Sequence, residues 1–168
     1  PPVEICEETV AGNSPFDLFT LLDGTQDTNG TWYEGTDTTG PVVTNPVDIS
    51  AFTAGTFNYT YSVPPIGVCT DVDVTVQIII NATPNTGTAT PVAFCENDAA
   101  MNSPFDLFGQ LSGNDAGGTW SDDDASGALT GNTVDLTTLA VGSYNYTYTI
   151  TDGSTCTSST TVEITIND

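Results

Sequence analysis

The chain has 168 residues, 22 of them Asp or Glu and none Lys, Arg or His, giving a formal net charge of −22 at pH 7. An average soluble domain is about a quarter charged, with both signs mixed; here 13% of residues are charged and all carry one sign. No side chain can act as a general base titrating near neutrality, form a Schiff base, clamp a phosphate or neutralise a nucleic-acid backbone. Every compensating positive charge comes from outside, as salt, a metal ion or a basic partner.

Hydrophobic residues make up 38% of the chain, including 7 Phe, 6 Tyr and 2 Trp, enough for a packed core. Thr, Val, Gly, Asn and Asp dominate, which is the chemistry of pleated strands and turns. No apolar run is long enough to cross a bilayer. With no initiator Met and no signal-peptide pattern, the chain reads as a piece of something longer.

In chain order, short strands are expected near 3–6, 16–22, 30–34, 41–44, 47–51, 56–63 and 72–81. Period two carries the assignment: Phe57, Tyr59, Tyr61 and Val63 alternate with Thr56, Asn58, Thr60 and Ser62, giving one apolar and one polar face. Turn signals such as Asp23-Gly24, Asn29-Gly30 and Thr39-Gly40-Pro41 separate the strands. Pro15 to Leu22 is equally compatible with one turn of helix.

The pattern then starts again. Cys6-Glu7 recurs as Cys95-Glu96, and Asn13 to Phe19 recurs unchanged as Asn102 to Phe108. Gly30-Thr31-Trp32 returns as Gly118-Thr119-Trp120, Asn58 to Tyr61 as Asn145 to Tyr148, and Cys69-Thr70 as Cys156-Thr157. A period of 89 drifting to 86 is the size of a whole small domain rather than of a solenoid unit. The seam at about 82–90 has Thr, Pro and Gly and no aliphatic residue larger than Ala, the composition of a semi-extended linker. Two domains follow, 1–83 and 84–168. About seven antiparallel strands in each, with Trp32 and Trp120 on the third, predict an all-β fold of two tandem immunoglobulin-like β-sandwiches. The two Trp side chains are expected between the sheets.

Four cysteines with no close pair and no histidine argue against zinc and for disulfides, which place the chain outside the reducing cytosol. If Cys6 opens the first strand and Cys69 precedes the last, both lie at one pole, and the expected bonds are Cys6–Cys69 and Cys95–Cys156. Closing each loop of about 60 residues is worth roughly 4 kcal/mol in the chain-entropy picture.

The same topology gathers acids at that pole: Glu7, Glu8, Asp23, Asp27, Asp71 and Asp73 in repeat 1, and Glu96, Asp98, Asp115 and Asp152 in repeat 2. Converging carboxylates repel, and Ca²⁺, which takes six to eight oxygen ligands, relieves that repulsion. Calcium at the inter-repeat junction is one expectation; a solvated acidic surface with no specific site is the other, since the EF-hand spacing is absent. Asp17 and Asp106 are expected to bond nearby backbone amides, Asp48 and Asp135 to be exposed, and Asp122-Asp123-Asp124 to form a charged turn or a second metal loop.

An early Cys, Phe-Asp-Leu-Phe-x-x-Leu, Gly-Thr-Trp, Tyr-x-Tyr, a late Cys and a Val-x-Ile-x-Ile ending resemble the tandem immunoglobulin-like repeats of very large secreted surface proteins of Bacteroidota, including gliding-motility adhesins of the SprB kind. The resemblance covers both repeats nearly end to end. It implies extracellular, cell-surface localisation, neighbouring repeats of the same chain as partners, and a role as stalk or adhesive fibre. The competing reading is a polysaccharide-binding module, with Trp32, Tyr33 and the Tyr-rich strands stacking on sugar rings; ice binding through Thr is a weaker variant. A glycosidase needs only two carboxylates across a cleft, but sandwiches this small seldom provide one, so no enzymatic activity is expected. Lys–Asn isopeptide crosslinks are impossible without Lys.

Overall fold

Alternating Tyr and Thr side chains build the centre of each repeat. The computed structural model, which describes residues 2–65, 72–154 and 156–168, divides into two units, Pro1–Thr83 and Pro84–Asp168. In the first, β1 (Val3–Cys6), β2 (Thr31–Glu34), β3 (Val42–Val43), β4 (Gly55–Val63) and β5 (Val72–Asn81) form one sheet in the order β1-β5-β4-β2-β3. The antiparallel β4–β5 ladder sets Phe57 opposite Ile78 and Tyr59 opposite Val76. Tyr59, Tyr61, Val76, Ile78 and Ile80 are accordingly buried, while Thr56 and Asp73 are exposed.

Leu18 and Ile49, both at 0% exposure, belong to the same core. They come from the two segments, 16–22 and 47–51, that were expected to be strands, and these pair only through a bridge between Phe16 and Val47. Side chains take over the backbone groups a ladder would have used. Asp17 Oδ1 accepts from Phe19 N (3.0 Å), Asn45 Oδ1 accepts from Leu18 N (2.7 Å), and the Asn45 amide donates to Asp17 Oδ1 (2.6 Å). Such local bonding competes with strand pairing, and Leu18–Leu21 winds into a 3₁₀ turn capped by Asp17. A second 3₁₀ segment, Glu7–Asn13, follows β1.

The second unit contains β6 (Thr88–Ala89), β7 (Val92–Cys95), a one-turn helix α1 (Ala99–Asn102), β8 (Phe105–Asp106), β9 (Leu111–Ser112), β10 (Thr119–Asp122), β11 (Leu129–Thr130), β12 (Thr133–Val134), β13 (Gly142–Thr151) and β14 (Thr157–Asn167). Its sheets run β10-β13-β14-β7, β11-β12-β8 and β6-β9. Leu107, Val134, Leu136, Tyr146, Tyr148, Val162 and Ile164 are all fully buried. Asp106 repeats the role of Asp17, accepting from Phe108 N and from the Asn132 amide. The architecture is all-β, of the immunoglobulin-like sandwich kind, without a barrel. No helix among the described residues is long and apolar enough to cross a membrane.

One pairing decides where the cysteines go. The first strand of each unit runs parallel to the last, setting Cys6 beside Asn81 and Cys95 beside Asn167. The early cysteine therefore closes its strand at the far end of the last strand, instead of opening it near that strand's start. Thr157 to Asn167 spans 11 residues, so Cys156 lies about 36 Å along the strand from the Cys95 level at 3.3 Å per residue. The expected Cys95–Cys156 bond is corrected on this ground, and Cys95 carries a free, exposed thiol. Cys6 and Cys156 are both disulfide-bonded. Cys69, the partner expected for Cys6, lies outside the described residues.

Candidate functional site

The same parallel pairing redistributes the acids. Glu7 and Glu8 start the 3₁₀ segment that leaves β1 at its Asn81 end. Asp73 faces Ser62 near the start of β5, about 26 Å away along the strand. The main chain of Asp27 is held near that end, since its carbonyl accepts from Tyr61 Oη at 2.8 Å. Asp71 lies outside the described residues. In repeat 2, Glu96 and Asp98 follow Cys95 at the Asn167 end. Asp115 and Asp152 sit at the other end: the Asp115 carbonyl accepts from Tyr148 Oη (3.0 Å) and Asp152 Oδ1 accepts from Cys156 N (2.9 Å). The expected gathering at one pole is therefore corrected to a division between two. Among the described residues, no group of three or more His, Cys, Asp or Glu is placed to hold a metal ion.

Many of the carboxylates instead brace turns. Asp23 accepts from Thr25 Oγ1 and N, Asp37 from Thr39 Oγ1 and N, and Asp152 from Ser154 Oγ and N. Hydroxyl and amide donors hold all three below the ordinary carboxylate range. The fullest example spans 34 residues: Asp48 Oδ1 accepts from Ser14 Oγ (2.7 Å) and Ser50 N (2.9 Å), while Ser14 Oγ accepts from Ile49 N (3.1 Å). The Ser50 and Ser14 donors bring Asp48 down to about 2. Repeat 2 copies the arrangement with Asp135, Ser103, Thr137 and Leu136, and Asp135 is likewise lowered, chiefly by Thr137 and Ser103.

A pH prediction follows with its sign. A carboxylate lowered from 3.8 to about 2 on folding contributes stability that is complete above the unfolded value and disappears as pH falls through the folded one. Asp48→Asn and Asp135→Asn should each lower the urea midpoint at pH 7. For Asp48→Asn the gap to the parent should close between about pH 4 and pH 2; a gap unchanged at pH 2 would reject this account.

In the triple acid, Asp123 and Asp124 clasp β13 and Asp122 braces the turn that follows. Asp122 Oδ2 accepts from Ser126 Oγ and Gly127 N, Asp123 Oδ2 from Thr147 Oγ1, and Asp124 Oδ2 from Asn145 N. Burial works to raise Asp122, but the Ser126 and Gly127 donors prevail and lower it.

The aromatic residues converge on one motif in both repeats. Phe19, Trp32 and Tyr61 pack with centroids 4.9–5.6 Å apart, and Phe108, Trp120 and Tyr148 do the same at 5.1–5.6 Å. Each Tyr hydroxyl accepts from a glycine N–H, Gly30 at 2.8 Å and Gly118 at 3.0 Å, and donates to a carbonyl of the preceding loop. The glycines are required by close approach. A Cβ on Gly30 would meet Ser62 O at 2.5 Å and the Tyr61 ring at 2.6 Å. Sequence reasoning placed these Tyr side chains inward but missed the corner; its signal was Gly before Thr-Trp in both copies.

Ring burial bears on the sugar-stacking candidates. Trp32 is 4% exposed and Tyr61 1%, so neither offers a face. Tyr33 is half-buried beside β3 and β4. Repeat 2 is more open: Phe108, Gly118, Thr119, half-buried Trp120, Leu129, Gly131 and Asn132 line a cleft of about 470 Å³. Repeat 1 carries a more apolar cleft of about 680 Å³ along Val3, Leu21, Leu22, Val72 and Val74. Threonine also proves more regular in the sheet than in the sequence. Thr147 bonds Thr161 and Thr151 bonds Thr157 across β13–β14, at 2.7 and 2.9 Å.

No protein-family description and no curated protein matches the chain. Solved structures do. A Ca²⁺-stabilised adhesin that helps an Antarctic bacterium reach out and bind ice aligns at 16% identity over 82% of this chain and 40% of its own, with a TM-score of 0.36. Drosophila N-cadherin EC1-4 aligns at 15% identity over 99% and 48%, TM-score 0.32. The extracellular cadherin domains 1-5 of protocadherin gamma B2 align at 15% over 100% and 38%, TM-score 0.31. The chain spans less than half the length of each of these three structures.

Proposed function

We propose that the chain is a tandem structural and adhesive segment, a stalk or fibre piece, of a large secreted bacterial cell-surface adhesin. In this reading it works by holding and binding rather than by catalysing a reaction. The observation that carries the reading is duplication down to single hydrogen bonds: the Tyr–Gly corner, the Asp–Ser brace and the parallel first and last strands recur in both units. Selection that keeps a scaffold identical in successive copies favours a repeated mechanical part over a single ligand site.

Solution scattering tests it. An extended, stiff particle is the expected result, and a freely jointed pair would reject the stalk. The same samples test calcium at matched ionic strength. Self-repulsion from 22 acids without one basic residue is screened by any salt, so NaCl alone should raise the melting midpoint. A further rise specific to CaCl₂ and abolished by chelator supports calcium as a stiffening ion; an equal response to both salts removes it.

The cleft beside Trp120 supports a second reading, a polysaccharide-binding module. Phe108 and Trp120 give it aromatic surface and Asn132 and Thr119 give it polar groups, the mix that orients a small ligand. A glycan array decides this: binding lost in Trp120→Ala favours it, and an empty array excludes it.

A further inference from the structure

We propose that the cleft of repeat 1 along β5 receives an extended leading segment, one that runs into Val3 and adds a short strand on Leu22 and Asp23. Repeat 2 shows the arrangement complete. Residues 85–90 lead into β7 and belong to its unit. Their strand β6 pairs with β9, Thr88 opposite Ser112 and Ala89 opposite Leu111. Thr90 N donates to Gln110 O (2.9 Å), and Asp115 N donates to Asn85 O (2.7 Å). The Asn85 side-chain amide donates to Gly113 O (2.9 Å). Ala89 packs on the core, and buried Thr86 lies beside Ser158 of β14, hydroxyl to hydroxyl at 3.4 Å.

Repeat 1 keeps the receiving half. The duplicated sequence makes Leu22, Asp23 and Gly24 the counterparts of Leu111, Ser112 and Gly113. Leu22 is extended as Leu111 is, and Gly24 turns at φ +82° as Gly113 does at +79°. Ladder register makes Val72 and Val74 the counterparts of Ser158 and Thr160: Val74 faces Tyr61 and Thr160 faces Tyr148. Ser158 and Thr160 are half-buried, but Val72 and Val74 are 66% and 40% exposed. Both line the cleft of about 680 Å³, with Val3 at one end and Leu22 on its wall. Direction agrees. Since β1 is parallel to β5, a chain leading into Val3 runs back along β5 toward Val72. Thr86 and Ser158 lie six residues before the Val92–Ile164 pair, and Val72 lies six before Ile78, the partner of Val3.

The lining specifies the occupant. Val72 stands where repeat 2 has Ser158, so an aliphatic side chain at the Thr86 position gains from burial against it. Gln26 Oε1 in the cleft wall is buried with no hydrogen-bond partner among the described residues, and a strand laid there offers it a backbone N–H. Asp23 in the same wall repels an acidic segment. The occupant is therefore an uncharged, extended segment of the 84–90 type, aliphatic where that segment has Thr86.

Hydrogen exchange read by mass spectrometry on the full chain tests this. A copy of Pro84–Thr90 is put in place of Pro1, which lacks the N–H that Thr90 donates. Amides of residues 22–27 should then exchange at least about tenfold more slowly, with repeat 2 unchanged. Val at the Thr86 position of the copy should deepen the protection. Val72→Asp should remove it, and a melting scan of the unextended variant shows that it folds. Extended and parent chains that exchange alike over 22–27 overturn the proposal. Protection by free Pro84–Thr90 peptide, with none from the fused copy, assigns the cleft to a strand from another molecule and also overturns it.

Discussion

Tyr148→Ala is expected to cost repeat 2 about 3–5 kcal/mol, the range for deleting a large buried aromatic, and Tyr61→Ala the same in repeat 1. Both rings are essentially unexposed, at 0% and 1%, and each packs against a Phe and a Trp. The Phe variants separate the hydroxyl from the ring. Tyr148→Phe keeps the packing but strands Gly118 N–H and the Asp115 carbonyl, at about 1–3 kcal/mol for an orphaned buried group. Differential scanning calorimetry resolves the effect, since 1 kcal/mol moves the midpoint of a domain this size by about 4–8 °C. A Tyr148→Phe variant that melts with the parent would show that the corner bonds contribute nothing.

Gly118→Ala is the second large effect and tests the other side of the same corner. The added Cβ would lie 2.5 Å from Thr149 O, 2.6 Å from the Tyr148 ring and 2.7 Å from Ile150 Cγ1. Thr149 O belongs to a paired strand and cannot swing away as a long side chain would. Overpacking of this kind costs about 1–3 kcal/mol or more, expected as a lower midpoint and faster unfolding. A Cβ added at Gly153 would meet nothing within 4 Å, so Gly153→Ala is the control and should stay within about 0.5 kcal/mol of the parent.

The long strands were legible because Phe57, Tyr59, Tyr144 and Tyr146 announce period two and their partners Ile78, Val76, Ile164 and Val162 answer it. The segments around Leu18 and Ile49 were not. Their apolar residues are core residues, yet Asp17, Asn45 and Asp48 bind the backbone N–H groups a ladder needs, and a hydrophobic pattern does not record that competition. The acids and cysteines were misplaced together for a single reason. Whether the first strand runs parallel or antiparallel to the last leaves no trace in its four residues, Val3-Glu4-Ile5-Cys6, but it decides which end of the sandwich Cys6, Glu7 and Glu8 reach. The paired Thr hydroxyls of β13 and β14 escaped notice similarly, since their alignment depends on register between strands and not on spacing within one.

Parallel pairing of first and last strand also sets how a repeat resists being pulled. Tension reaches repeat 1 at Val3 and leaves it at Asn81, and these lie at opposite ends of the β1–β5 ladder. Force along the chain therefore slides β1 against β5 and loads the bonds from Val3 to Cys6 together. A hairpin pulled at its two adjacent ends would instead open one bond at a time. Repeat 2 is strung in the same way between Val92 and Asn167. Each unit thus presents its ladder in shear to a pull applied at its two ends.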